Sequence, residues 1–367
     1  MKKLYILLIS VLMLALVLSF SACSCSTDAE PGSGSSSNQP QQNNDVGNSI
    51  SADGRLSFTI SADKSYYTVA GLKDVSSLLT IPSEHNGKPV KAIGERAFEN
   101  FTKLEKVTIP DSITTIDEYA FAGCTSIKFI TIPKSVTEIG EGVFRSCQKL
   151  EYIEVDSANP SYKSEKGNLC SKDGKTFIQY SIGRPNSEKP IIPSTVRSIS
   201  SYAFENCQVM KEIEIPEGVE TIGGNAFYNC DKLEKVSIPK SVRGIGKRAF
   251  SNCNSLAQIT VEDTNNVYKS IDGSLYGASK EVLVQYAIGK EDKSFVVPSS
   301  VNYIHSYAFE GCTNLEDILI SKTVTKIGDN AFAGYTALTI RCGASSKPRD
   351  WDDSWNPDNC TVVWGNK

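Results

Sequence analysis

The sequence predicts a β-solenoid, a stack of short-stranded coils with short helical or 3₁₀ turns, and three observations carry that reading. An aromatic preceded by a small residue recurs as Ala97-Phe98, Ala120-Phe121, Val143-Phe144, Ala203-Phe204, Ala226-Phe227, Ala249-Phe250, Ala308-Phe309 and Ala331-Phe332. Within blocks the Phe spacing is 23 residues, and between blocks it is 60 and 59, one period plus an insert. The two inserts are themselves related. Asn159, Tyr162, Lys163 and Ser164 match Asn265, Tyr268, Lys269 and Ser270 at an offset of 106, as do Gln179-Tyr180 and Gln285-Tyr286.

At the amino end, Lys2 and Lys3 precede an apolar stretch from Leu4 to Phe20, followed by Ser21-Ala22-Cys23. A short basic flank, an apolar core and small residues make residues 1–22 a secretory signal, with an uncleaved membrane segment as the alternative. Phe20-Ser21-Ala22-Cys23 resembles the bacterial lipobox, and the resemblance implies diacylglycerol attachment at Cys23. Residues 23–51 are dominated by Ser, Gly, Pro, Asn and Gln and read as a flexible tether. Residues 93–340 read as the solenoid, with inserts at about 156–192 and 262–297, between a flanking segment 52–92 and an aromatic tail 341–367 with Trp351, Trp355 and Trp364.

Each repeat follows one template, seen cleanly from Ile116 to Ile139. Ile116 ends a short strand, Ala120-Phe121 sits in a helical or 3₁₀ turn, and Ile130 and Ile132 lie in a second strand that stops at Pro133. Alternation turns Ile130 and Ile132 inward and leaves Thr131 outside. Pro110, Pro133, Pro193, Pro216, Pro239 and Pro298 end strands, where a missing donor does no harm. In the first insert, Asp173-Gly174 between short apolar runs reads as a hairpin. One unit cannot bury its Phe, Ile and Leu alone, so stacking supplies the core.

The recurring Ile-x-Ile-Pro, Val-x-x-Ile-Gly, Ala-Phe and Cys resemble the BspA-like bacterial leucine-rich repeats over roughly residues 78–340. The resemblance implies a curved leucine-rich repeat solenoid on a bacterial surface, with residues 52–92 as its opening cap and 341–367 as its closing cap, of a kind assigned to adhesion or host-protein binding, and supplies no ligand.

Composition narrows the function classes. Lys plus Arg total 38 and Asp plus Glu 42, a net charge of −4, so no global field draws nucleic acid. His85 and His305 are the only histidines, which leaves little for imidazole catalysis or His-rich metal sites. No nucleophile elbow, phosphate loop or calcium loop is present, so the expectation is no enzyme, no cofactor and no metal. Six cysteines (Cys124, Cys147, Cys207, Cys230, Cys253, Cys312) fall three residues after the repeat Phe, where Phe101 and Tyr335 also occur. A column that accepts Phe is a packing column. Cys342 and Cys360 lie in the closing cap, either as a disulfide or as two thiols.

The candidate binding residues come from the outward strand positions. Phe129 and Tyr152 would stand side by side on adjacent coils, with Lys106 on the preceding coil and Thr131 and Glu154 in the next column. Outward neighbouring aromatics mark either a contact patch or cross-strand support for the sheet. The leading reading is a lipid-anchored, extracytoplasmic and monomeric binding module for an unknown protein or glycan. An envelope spacer without a ligand is the alternative, and a hydrolase a distant third.

Overall fold

The structure, a computed structural model, describes residues 48–51, 54–72, 77–185 and 190–366. The signal reading of residues 1–22, Cys23 and most of the expected tether lie outside the described residues. The tether's last residues do not stay irregular. Asn48–Ile50 is a strand that pairs antiparallel with Leu56–Ile60, so the opening cap begins four residues before the expected boundary.

Two parallel ladders run along the solenoid. The longer strands, such as Phe129–Ile132 and Tyr152–Val155, pair one coil to the next in a register of 23: Tyr152 faces Phe129 and Glu154 faces Thr131. The same register joins Lys235–Ile238 to Glu212–Glu214 and to Gln258–Val261. Ile130 and Ile132 are buried while Phe129 and Thr131 are exposed, as the alternation requires. The second ladder is built of two-residue strands, Thr115–Ile116, Glu138–Ile139 and their counterparts. Each strand-ending Pro accepts a bond from the amide three residues on, as in Ile113 to Pro110 and Val219 to Pro216, and this turn leads the chain into the short strand. Between the ladders the Phe rings stack. Phe204 and Phe227 lie 4.9 Å apart, Phe227 and Phe250 5.5 Å, Phe309 and Phe332 4.9 Å, with planes within about 11°.

The Ala-Phe corner is not helical, and this corrects the expected helical or 3₁₀ turn: there is no helix among the described residues. The residues two before and two after each Phe adopt positive φ, as at Tyr119 (56°) and Gly123 (69°), or Asn225 (53°) and Asn229 (56°). These left-handed positions break every run of successive i→i+3 bonds. Amides instead alternate in direction. Tyr119, Phe121 and Gly123 donate to Glu141, Val143 and Arg145 on the next coil, while Ala120, Ala122 and Cys124 donate back within their own coil. The corner is thus a third ladder made of turns.

Each insert is a three-stranded antiparallel meander. Tyr162–Glu165, Asn168–Ser171 and Thr176–Gln179 pair in sequence, and the last joins the short-strand ladder in parallel at Ser198–Ile199. The Asp173-Gly174 hairpin is present. The residues matched at the offset of 106 make matched bonds. Asn159 donates to the Pro133 and Val136 carbonyls and accepts from the Ser161 and Tyr162 amides; Asn265 does the same with Pro239, Val242, Val267 and Tyr268. A fully buried amide with all four groups paired fixes where the chain leaves the solenoid. The Tyr162 and Tyr268 hydroxyls accept the Ile139 and Ile245 amides, closing the short ladder where the next coil is missing. Tyr180 and Tyr286 stack on Phe204 and Phe309, each at 5.2 Å, and carry the ring column across the insert.

Both ends are covered. The hairpin of Leu56–Ile60 and Tyr67–Leu72 starts the short ladder by pairing with Lys88–Ile93. Thr361–Trp364 extends the long ladder beyond Thr339–Cys342, and Trp355 sets its edge on Phe332 at 5.7 Å.

Candidate functional site

Strand alternation places the five predicted residues on one face. Phe129 is 59% exposed and Tyr152 43%, both large for aromatics in a paired sheet. Lys106, Thr131 and Glu154 are exposed as well, and the Thr131 hydroxyl donates to Glu154 Oε2 at 3.2 Å. Two apolar residues missed by the periodic reading join them. Leu78, 60% exposed, pairs in register with Lys106 and so heads the Phe129 column. Ile191 is 63% exposed. Leu78 escaped because it stands 28 residues before Lys106 rather than 23. Ile191 lies in an insert, where Ile191-Ile192-Pro193 puts an apolar residue at an outward position. That doubled apolar pair before Pro, repeated as Val296-Val297-Pro298, was the available signal.

Beside the aromatic pair the first insert closes a groove of about 610 Å³, whose lining includes Phe129, Tyr152, Glu151, Lys166, Arg184 and Ile191. Gly167 permits it: φ is +77°, and a Cβ there would lie 2.4 Å from the Tyr152 ring and 2.5 Å from the Arg184 guanidinium. Arg184 is held over the Tyr180 ring at 5.6 Å and donates to the Glu151 carbonyl at 3.2 Å and to the Lys166 carbonyl. The groove therefore combines open ring faces with a positioned cation.

The remaining reactive groups have structural surroundings. Cys124, Cys147, Cys230 and Cys253 are buried, and each thiol donates to the Phe carbonyl of the preceding coil at 3.0–3.2 Å. Burial pushes the Cys124 thiol up to about 12, so it stays protonated. Of the two alternatives for Cys342 and Cys360, the structure has the thiols: both are free and buried. Cys342 faces inward opposite Trp364, while Cys360 Sγ is turned to the Tyr335 carbonyl at 2.8 Å, so no bridge joins them. His85 stacks on Phe58 at 4.1 Å beneath the Ser49 hydroxyl, and burial lowers its pKa. His305 is half-buried, with Nδ1 at 3.2 Å from the Ser306 carbonyl, and burial lowers its pKa too. Among the described residues no group of three or more His, Cys, Asp or Glu side chains could hold a metal ion.

With the coils and the face in view, comparison with known proteins identifies the repeat. The model of the BspA type leucine rich repeat region matches residues 76–171, 178–280 and 289–347 in six copies. The chain belongs to the BspA-type leucine-rich repeat family. No curated protein matches it. Among solved structures it is similar to a leucine-rich cell surface protein from Faecalibacterium prausnitzii, at 28% identity over 79% of this chain and 75% of that one, with a TM-score of 0.43. It is also similar to a leucine-rich repeat protein from Eubacterium ventriosum, at 23% identity over 80% and 95%, TM-score 0.47. The pneumococcal vaccine antigen PcpA is 16% identical over 87% of this chain and 99% of that one, TM-score 0.46. The BspA-type model leaves out residues 172–177 and 281–288, which fall inside the two inserts.

Proposed function

We propose that this BspA-type chain is an extracytoplasmic binding module, tethered to the bacterial surface through a lipid on Cys23, that captures a ligand on the long-strand face. The observation that carries the reading is the exposure of Phe129 and Tyr152 on adjacent coils. Leu78 and these two rings turn apolar area outward on the long-strand face and Ile191 lines the groove beside them, where polar residues would serve a spacer equally well. Large aromatics bury much area for little lost side-chain entropy, so they anchor interfaces. The basic flank, apolar core and Cys23 support export and anchoring.

Anchoring and binding are tested separately. Cys23→Ser is expected to abolish incorporation of labelled fatty acid and to release the chain from the membrane fraction; undiminished labelling would refute a lipid on Cys23. For binding, the full-length chain with Phe129→Ala and Tyr152→Ala is expected to retain at least tenfold less material from cell-surface extracts, with thermal melting nearly unchanged, because the rings pack on one side only. A sharp fall in melting with undiminished capture would assign the rings to the sheet, and the ligand to another face.

A further inference from the structure

The amide row at the Ala-Phe corner shows where the stack of coils is interrupted. Within a block, the Phe amide and the amide two residues before it donate to the next coil, as Phe121 and Tyr119 do to Val143 and Glu141. In the last coil the closing cap takes these bonds: Asn330 and Phe332 donate to the Ser354 and Trp355 carbonyls. At the first insert the corresponding amides belong to Gly142 and Phe144, both buried. Among the described residues no group accepts from these two amides. None donates to the Ser201 carbonyl either, the counterpart of the Glu141 carbonyl one coil on. Tyr180 occupies the intervening place only at Ala203, whose carbonyl takes its amide. Where one chain is left out of a ladder, its neighbours stand two spacings apart, about 10 Å. There a groove of about 470 Å³ opens on the short-ladder side, with Glu141, Gly142, Phe144, Thr176, Ser198 and Ser201 in its lining.

The second insert has the same junction filled by side chains. Register puts Tyr303 in the place of Ser198 and Lys326 in that of Thr221. Lys326 Nζ lies over the Tyr303 ring at 4.6 Å. His305, in the place of Ser200, sets Nδ1 3.2 Å from the Ser306 carbonyl, the counterpart of the Ser201 carbonyl. Small hydroxyl residues leave the first junction open.

From this contrast we infer that the groove at the first insert binds a short peptide segment of a partner protein, which runs through it as one more pass of chain and carries a basic side chain. This site is separate from the long-strand face, and its lining shares no residue with the groove beside Phe129 and Tyr152. Two donors stand on one wall and an acceptor on the other, at the spacing of a main chain. A peptide offers carbonyls and amides in alternation, so it pairs with both walls at once. The closing cap gives the pattern within this chain, since two successive carbonyls there serve the same pair of amides. Among the described lining residues Glu141 alone carries a charge, and it is exposed. Its counterpart at the second insert is Lys247, which pairs with Asp329 at 3.2 Å. A carboxylate at the rim of the groove favours a Lys or Arg on the incoming peptide.

The test pans a phage library of random short peptides on the full-length chain and titrates the recovered sequences as synthetic peptides by fluorescence polarisation. Recovered peptides are expected to carry Lys or Arg. Ser198→Tyr with Ser200→His, which copies the second junction, is expected to weaken their binding at least tenfold, and Glu141→Lys to do the same. Phe129→Ala with Tyr152→Ala is expected to leave it unchanged. Circular dichroism melting of each variant separates loss of binding from loss of fold. Amide hydrogen exchange at Gly142 and Phe144 is expected to slow when peptide binds. Recovery of no peptide would overturn the inference, as would binding that survives both groove variants. Undiminished affinity after N-methylation of the peptide backbone would overturn it too, by assigning recognition to side chains. Peptides lost only with the Phe129 and Tyr152 variant would belong to the long-strand face, so that the groove fails while the binding face stands.

Discussion

Phe227→Ala is expected to destabilise the chain by about 3–5 kcal/mol, the range for truncating a fully buried Phe with its cavity term. Phe227 has no exposure and lies between Phe204 at 4.9 Å and Phe250 at 5.5 Å, so the substitution removes two stacking contacts and leaves a hole shared by three coils. In a solenoid each coil touches only its neighbours, so damage at the centre also weakens the coupling between halves. Denaturant unfolding should therefore move to lower midpoint and broaden or split. Hydrogen exchange should show the loss centred on residues 200–255. The sequence alone argues that Phe332→Ala in the last coil costs clearly less. The structure narrows that difference, because Trp355 covers the outer side of Phe332 at 5.7 Å and Phe309 stacks on the inner side at 4.9 Å. A loss below about 1 kcal/mol at Phe227 would remove the Phe column from the core.

Features repeated from coil to coil were legible because six to eight copies vote on each phase. The Phe column, the inward Ile pair, the Pro turns and the Cys column all stand where periodicity put them. The inserts were legible as a duplication, and even their bonds repeat, as Asn159 and Asn265 show. What the period concealed was conformational. Ala-Phe flanked by polar residues looks like a helical turn, yet the position two after each Phe is Asn100, Gly123, Ser146, Asn206, Asn229, Asn252, Gly311 or Gly334. Asn and Gly are the residues that enter left-handed backbone most readily, and that column carried the signal. The candidate face was half legible: alternation exposed Phe129 and Tyr152, whereas Leu78, Lys166, Arg184 and Ile191 come from cap and insert, where no phase applies.

The same blind spot hid the clasps that hold the blocks together. The first coil of each block reads Ala-Phe-Glu, at Glu99, Glu205 and Glu310, and the last two glutamates are buried. Each reaches back across an insert to an arginine, Glu205 to Arg145 at 3.0 Å and Glu310 to Arg248 at 2.5 Å. Arg248 bonds both Glu310 oxygens and stands over the rings of Tyr228 at 4.6 Å and Tyr307 at 4.8 Å. Burial works against its charge, but the Glu310 hydrogen bonds and charge outweigh burial and raise its pKa further. The side chains are 19% and 5% exposed, so removing one partner strands a charge in a nearly dry site.

Arg248→Met is accordingly expected to cost about 3–5 kcal/mol, the range for breaking a buried pair from one side. Met is unbranched like Arg at this left-handed position (φ 59°), so backbone strain changes little. Adding Glu310→Leu should recover most of the loss, since an apolar replacement of both partners is often neutral. Failure of the double variant to recover would mean that the tyrosine stacking, rather than the ion pair, holds the junction. The first junction should respond less, because Arg145 is about one-third exposed and water can partly replace it. There burial pushes the Glu205 carboxyl above its ordinary range, and Arg145 offsets this only in part. A raised folded-state pKa makes that carboxyl's contribution full below the unfolded value and lost as pH rises through the folded one. Glu205→Gln should remove this slope from the stability profile above about pH 4.5. An unchanged slope in Glu205→Gln would assign the pH dependence to other carboxylates.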